Sequence, residues 1–440
     1  MTPVSADLSA IMVVIATKAT DKGERNLPGG SGSRQQRQVT MHTEVCDRLG
    51  MEFPIFAFSH CRDVVAAVTN AGGFGVLGAT GHSPHALEID LAWIDEQVKG
   101  KPYGVDLLLP VNYDKTAPQR GEPEPRREPG NQPVGPQTTS AEPRTTPGEP
   151  PAAPRFPAGH QAFLDDLLAR YGVPELPGHL PASAGALSVS PQAASNLLDV
   201  AFGHPIRLVA SALGPPPADL VSRAHDHGVV VAALVGTAEH ARRQQAAGVD
   251  LIVAQGTEAG GHTGQISTMV LVPEVVRTVA PVPVLAAGGI VTGAQMAAAM
   301  ALGAQGVWCG SVWLTTEEAE TDPSVKKKML AASSADTVRS RSLTGKPARM
   351  LRSAWTDEWE SDQAPAALPM PLQTMLTASA QQRINRNAGA GGSGATELAT
   401  YFVGQGVGLM DRIRPARQVV EQMVTDYLAV AENFAAQLQG

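Results

Sequence analysis

From residue 41 onward the chain alternates short, continuously apolar runs with longer segments whose apolar positions recur every three or four residues. The runs fall at 53–57, 74–78, 103–109, 207–210, 229–234, 251–254, 282–286 and 306–309, and each reads as a strand buried on both faces. Helices are expected between them, over 63–70, 83–98, 218–226, 239–247 and 292–302. The second of these opens on Ser83-Pro84, a cap followed by a first-turn proline. Pro283 sits inside the seventh run, where it would cost a ladder hydrogen bond. Eight strands with intervening helices predict an α/β chain folded as a closed (β/α)8 TIM barrel. A doubly wound open sheet is the alternative, but it would carry a glycine fingerprint after its first strand. Phe58-Ser59-His60-Cys61 stands there instead.

The pattern breaks in two places. Residues 1–40 are expected to be a disordered extension, since 21–40 is polar and glycine-rich with no apolar period; translation starting at Met41 would also account for it. Between Pro118 and Pro157 fall 12 of the 35 prolines, mixed with Glu, Arg, Gly and Thr. Such a mixture buries too little apolar surface to offset chain entropy, so 113–158 reads as a disordered insertion in a surface loop. The barrel then comprises 41–112 and 159–314. A helical lobe is expected over 315–403. A return segment and a C-terminal helix fill 404–440, with Val419, Met423, Tyr427, Ala431 and Phe434 at helical spacing.

Composition adds bounds. Of the 440 residues 43% are hydrophobic and 17% charged, as in a soluble globular protein, and the net charge of −8 gives no footprint for nucleic acid. Cys46, Cys61 and Cys309 form no CxxC, and among the 11 histidines there is no HxxxH and no HxH cluster on a clear element, His225-Asp226-His227 falling at the end of an expected helix. Neither a disulfide framework nor a metal site is expected, and a reducing cytoplasm fits. Residues 11–16 are apolar but far too short to span a membrane, and no basic stretch precedes them.

The strongest candidate chemistry is the loop after the sixth strand, Gln255-Gly256-Thr257-Glu258-Ala259-Gly260-Gly261-His262-Thr263-Gly264. Its glycines allow sharp turns and close approach to a ligand, and its histidine can exchange a proton near neutral pH. A turn whose histidine only bonds a carbonyl is the plainer alternative. Barrel enzymes bind phosphate in the loops after strands seven and eight. Here these are Ala287-Gly288-Gly289-Ile290 and Gly310-Ser311, whose unhindered N–H groups suit a dianion, unless both are simply tight turns. A mononucleotide-like ligand, FMN among them, would follow. His60 reads more readily as a local hydrogen-bonding residue than as a site residue, and Glu258 as an acceptor that stiffens its loop. Lys326-Lys327-Lys328 reads as a solvated face, and Trp355 with Trp359 as core packing.

The run 255–262 (QGTEAGGH), together with 286–290 (AAGGI), 302–307 (LGAQGV) and 404–409 (GQGVGL), resembles the nitronate monooxygenase, or 2-nitropropane dioxygenase-like, family. The resemblance covers roughly 41–112 and 203–411. It implies FMN across the barrel mouth, with Gln255, Gly260 and Gly261 against the flavin. By the same likeness Gly288, Gly289, Trp308, Cys309, Gly310 and Ser311 bind the ribityl phosphate, and His262 faces the substrate as the acid/base. Two positions depart from the family. Ala57-Phe58-Ser59 replaces an Ala-Pro-Met stretch under the flavin, and Asp106 replaces an asparagine after Gly104-Val105. The activity implied is oxidation of a nitronate by dioxygen to a carbonyl compound and nitrite. The alternatives are an NAD(P)H-dependent reductase of a quinone or enoyl thioester, and a non-catalytic flavin-binding or scaffold protein. The sequence leaves the oligomeric state open.

Overall fold

The computed structural model describes residues 41–107, 156–175, 191–211 and 214–438. The expected extension over 1–40 lies outside them, as does the insertion over 113–158 up to residue 155. The strands are β1 (Ile55–Ser59), β2 (Phe74–Gly78), β3 (Gly104–Leu107), β4 (Leu208–Ser211), β5 (Val230–Val235), β6 (Leu251–Gln255), β7 (Gly261–His262), β8 (Val284–Ala287), β9 (Gly306–Cys309), β10 (Thr337–Ser340) and β11 (Ala348–Leu351). All but β7, β10 and β11 pair in parallel into a closed barrel in the order β1-β2-β3-β4-β5-β6-β8-β9, shut by the register Ala57↔Cys309 between β1 and β9. The chain is a (β/α)8 barrel, and the seventh and eighth runs of the sequence are β8 and β9.

Strand alternation sorts the side chains into two concentric layers. Phe56, Phe74, Val76, Leu208, Ala210, Val230, Ala232, Leu251, Val253, Leu285, Ala287 and Trp308 fill the lumen. Val45, Cys46 and Leu49, from the helix Glu44–Leu49, join that cluster and plug one end of the barrel. Val105, Leu107, Val209, Val231, Ile252, Ala254 and Val307 point the other way, into the layer shared with the helices. Each large aliphatic side chain buried this way stabilises the fold by about 1.5–3 kcal/mol, which is why both faces of the strands are apolar. Pro283 is not in the ladder. β8 starts one residue later, and the Pro283 carbonyl accepts from Ile252 N–H at 3.0 Å, so the strand keeps its hydrogen bonds.

The lobe differs from a purely helical one. It carries helices Pro323–Ala331, Ala354–Trp359, Leu372–Gly389 and Ser393–Leu398, and also an antiparallel sheet of order β10-β11-β7. Trp355 and Trp359 are core residues, with ring centroids 5.9 Å apart and Phe163 edge-on to Trp359 at 5.0 Å. The lysine run is a solvated face only at Lys327. The Lys326 ammonium is buried and donates to the Thr316 carbonyl at 2.6 Å, while Lys328 donates to the Thr396 and Ala399 carbonyls at 2.8 and 2.7 Å. Both ammonium groups therefore tie the helix Pro323–Ala331 to neighbouring backbone. In the C-terminal helix Ala416–Gln437 the apolar stripe is covered at Val419 and Met423 but open at Phe434. No helix among the described residues is long and apolar enough to cross a membrane.

Candidate active site

The carboxyl ends of the barrel strands converge on the glycine-rich loop that follows β6. Glu258 folds that loop back on itself. Its carboxylate accepts from Thr268 N–H at 2.9 Å and from the Thr268 hydroxyl at 2.9 Å, at the start of the helix Thr268–Val279. It is the stiffening acceptor expected of it, placed where a helix N-terminus favours negative charge. Gly260 is glycine because the return segment passes directly over it. A Cβ there would lie 2.8 Å from the Val403 carbonyl carbon, and one on Gly404 would lie 2.5 Å from the Glu258 carbonyl oxygen. Neither motif tolerates a side chain at this crossing.

The return segment binds three loops at once. Gln405 N–H donates to the Glu258 carbonyl at 2.8 Å, and Gly404 N–H donates to the Ser311 hydroxyl at 2.8 Å. A Cβ on Gly406 would meet the Gly289 carbonyl at 2.8 Å. The loops after β6, β8 and β9 thus form one cluster around residues 403–406.

The lobe holds the other side of the β6 loop. β7 pairs antiparallel with β11, Gly261 opposite Arg349 and His262 opposite Ala348. Arg349, buried, donates from Nε to the Thr257 carbonyl at 2.9 Å, and Arg339 donates to the Thr263 carbonyl at 3.2 Å. Two guanidinium groups therefore clamp the two ends of the segment that carries His262. The imidazole opens onto solvent on one side. Its Nε2 lies 2.8 Å from the Thr344 hydroxyl, and the Phe402 ring is 6.3 Å away. Partial enclosure by the lobe, and secondarily the Lys346 ammonium, lower its pKa from the ordinary histidine value, so it is neutral and able to accept a proton at pH 7.

The remaining expected residues divide by where they point. Phe58 and Gln255 continue the lumenal rows of Phe56 and of Leu251 and Val253, at the mouth. The Phe58 ring stacks on Trp308 at 6.3 Å, and Trp308 on Phe56 at 5.9 Å, so Trp308 is lumenal packing beneath the mouth. The Ala57 and Cys309 side chains belong to the outer layer, and complete burial pushes the Cys309 thiol up to about 12. Only their backbone can meet a ligand. The Ser59 hydroxyl accepts from Cys61 N–H at 3.1 Å and is used locally. His60 is likewise local, its Nδ1 2.7 Å from the Gly78 carbonyl.

The two glycine turns differ. Gly288 and Gly289 have positive φ, 114° and 71°, and pack on Thr268 and Glu258. Gly310 faces open space, where an added Cβ would meet nothing closer than the Phe58 ring at 4.0 Å. Among the described residues, neither Gly289 nor Gly310 donates its N–H to a backbone carbonyl. Two unused N–H donors and an open cradle, beside the Ser311 hydroxyl, fit a phosphate.

Asp106 lies on the lumenal side of β3, opposite in direction to Val105 and Leu107 and beside Gly78 and Ala210 in register. It is 5% exposed, and burial alone pushes its carboxyl up to about 7. The pKa is raised, so the folded chain keeps this proton between the ordinary 3.8 and about 7 while the unfolded chain loses it. Stability therefore falls as pH rises through that window, by up to about 4 kcal/mol. Asp106→Asn is expected to match the parent near pH 4 and to be more stable above pH 7, read by denaturant titration. A stability difference that does not change with pH would contradict a buried neutral carboxyl.

The family model described as nitronate monooxygenase matches residues 183–426, more than half of the chain. The chain belongs to the nitronate monooxygenase family. It is 60% identical over 401 residues to a Mycobacterium tuberculosis protein named "Putative monooxygenase Rv1533", covering 91% of this chain and 99% of that one. A carboxyl-CoA dehydrogenase of Rhodococcus jostii is 39% identical over 158 residues, 36% of this chain and 44% of the relative. Among solved structures, a nitroalkane oxidase from Streptomyces ansochromogenes has the same fold, with a TM-score of 0.66 and 24% identity over 89% of this chain and 99% of that chain. The protein is accordingly an enzyme of the monooxygenase type. Thr344, Arg339, Arg349 and the 403–406 crossing were not singled out in sequence as site residues. The family motif at 404–409 marked the crossing, whereas the lobe residues carry no local motif.

Proposed function

We propose that the protein is a flavin-dependent oxidoreductase that binds FMN at the barrel mouth and oxidises alkyl nitronates with dioxygen to a carbonyl compound and nitrite. The observation that carries the reading is that the loop leading to His262 and the turns with the free Gly289 and Gly310 N–H groups meet at residues 403–406, in a chain of this family. When bound, FMN supplies the redox chemistry, taking electrons from the substrate and passing them to dioxygen. The chain supplies the rest. The turns after β8 and β9 hold the phosphate, with Ser311 adding a hydroxyl. Phe58, Gln255 and Asp106 would line the mouth against the ring system, with Gly260 packed under the return segment and Gly261, whose Cβ position is open, letting the β6 loop approach without a side chain. His262 orients a substrate that arrives as the nitronate, and takes the carbon-bound proton of one that arrives as the neutral nitroalkane.

Asp106 favours a second reading in the same class, an NAD(P)H-dependent reductase of an enoyl thioester. A buried carboxyl raised to about 7 stands at the mouth where the family has asparagine, and one relative is named for a CoA substrate. Nitrite release and oxygen uptake with a nitronate, run beside NADH oxidation with an enoyl-CoA, separate the two. Nitrite without NADH supports the first reading. Thioester-dependent NADH oxidation with no nitrite would replace it with the second.

A further inference from the structure

Thr344 sits in the lobe, 82 residues along the chain from His262, and is buried with its hydroxyl oxygen 2.8 Å from the imidazole Nε2. The same hydroxyl is already engaged in its own turn. It donates to the Lys346 carbonyl at 3.1 Å and accepts from Lys346 N–H at 3.4 Å. Gly345, at φ 80°, makes that turn possible, and a Cβ on it would strike the Leu368 carbonyl at 2.0 Å, so the turn is seated against the following loop. The lobe therefore offers the hydroxyl proton an acceptor that does not depend on the histidine, the Lys346 carbonyl.

A hydroxyl carries one proton, and a carbonyl can only accept. With the Thr344 proton on the Lys346 carbonyl, Nε2 of His262 must be the donor in the 2.8 Å contact. A neutral imidazole has one N–H, so Nδ1 then bears the lone pair. Nδ1 has no hydrogen-bond partner among the described residues. We propose that Thr344 is a positioning residue that holds His262 as the Nε2–H tautomer and leaves Nδ1 as the basic nitrogen presented to substrate. This rests on the reading of His262 as the base for a neutral substrate. In that step the substrate C–H bond breaks, the proton moves to Nδ1, and the electron pair delocalises into the nitro group. No oxidant is needed until the nitronate so formed is oxidised. The β7–β11 pairing fixes the histidine backbone, and Thr344 fixes which nitrogen is free.

The test uses the full chain, labelled with 15N-histidine, at a pH where His262 is neutral, with His262→Asn identifying its signals. The parent is expected to give the Nε2–H pattern. Thr344→Val, which keeps shape and removes the hydroxyl, should move the signal toward a mixture of tautomers. It should also lower kcat on a neutral nitroalkane about tenfold, the worth of one hydrogen bond. KM, and turnover of the pre-formed nitronate, should change less than twofold, and Thr344→Ser should restore both the signal and kcat. An Nδ1–H pattern in the parent would overturn the proposal, as would a valine variant with unchanged tautomer and rate. The parent spectrum needs no variant to fold and no substrate to turn over, so it decides the tautomer even if the nitronate reading fails.

Discussion

His262→Asn is expected to retain fold and flavin and to lose about a hundredfold or more in turnover of a neutral nitroalkane, the scale of general acid–base catalysis. The substitution keeps a polar group at the place of Nδ1 but is too short to reach that of Nε2, so the Thr344 contact goes with the imidazole. The two-residue strand that carries position 262 is held by backbone pairing with β11, and both ends of its loop are held by arginine contacts to carbonyls. None of these contacts uses the imidazole, so the loss reports proton transfer and not misfolding. With the pre-ionised nitronate the loss should be clearly smaller, since no carbon-bound proton has to leave. Steady-state rates on both substrate forms check this. Equal losses on the two would make His262 a binding residue, and unchanged rates would remove it from the chemistry.

Gly310→Asp is expected to purify folded and empty of flavin. Gly310 has φ −119°, an ordinary value for any residue, and an added Cβ meets only the Phe58 ring at 4.0 Å. The chain therefore has room for the side chain, and the conflict arises only with a bound phosphate. A carboxylate about 4 Å from one phosphate charge costs about 4 kcal/mol at an effective dielectric of 20, roughly a thousandfold in affinity. Gly310→Ala removes the charge but keeps the bulk and should bind with an intermediate affinity. Flavin content by absorbance, with a thermal melt as the fold control, measures both. A folded aspartate variant with full flavin would place the phosphate elsewhere.

The barrel was legible because its signal is local. Each strand from β1 to β6, and β8 and β9, is a short apolar run, and Ser83 caps its helix by accepting from Ala86 N–H at 3.1 Å as its position before Pro84 implies. The role of Glu258 was legible for the same reason, since its partner Thr268 lies ten residues on. What connects the site to the lobe was not. β7 is two residues long, too short for any period, and its partner strand β11 begins at Ala348. Thr344, Arg339 and Arg349 act through single hydrogen bonds to residues far away in sequence, which leave no pattern in composition or spacing. The lysine run reads as a solvated face because its tertiary partners leave no mark in the local sequence. Backbone carbonyls of Thr316, Thr396 and Ala399 take up the ammonium groups of Lys326 and Lys328, and only the folded chain brings them there.

The proposed chemistry depends on where the cofactor's phosphate sits relative to His262. A crystal structure of the protein with FMN tests that most directly. Phosphate oxygens are expected within hydrogen-bond distance of Gly289 N–H, Gly310 N–H and the Ser311 hydroxyl, with the ring system between Phe58 and the imidazole of His262. FMN bound elsewhere, or a mouth that stays without it at saturating concentration, would contradict the account.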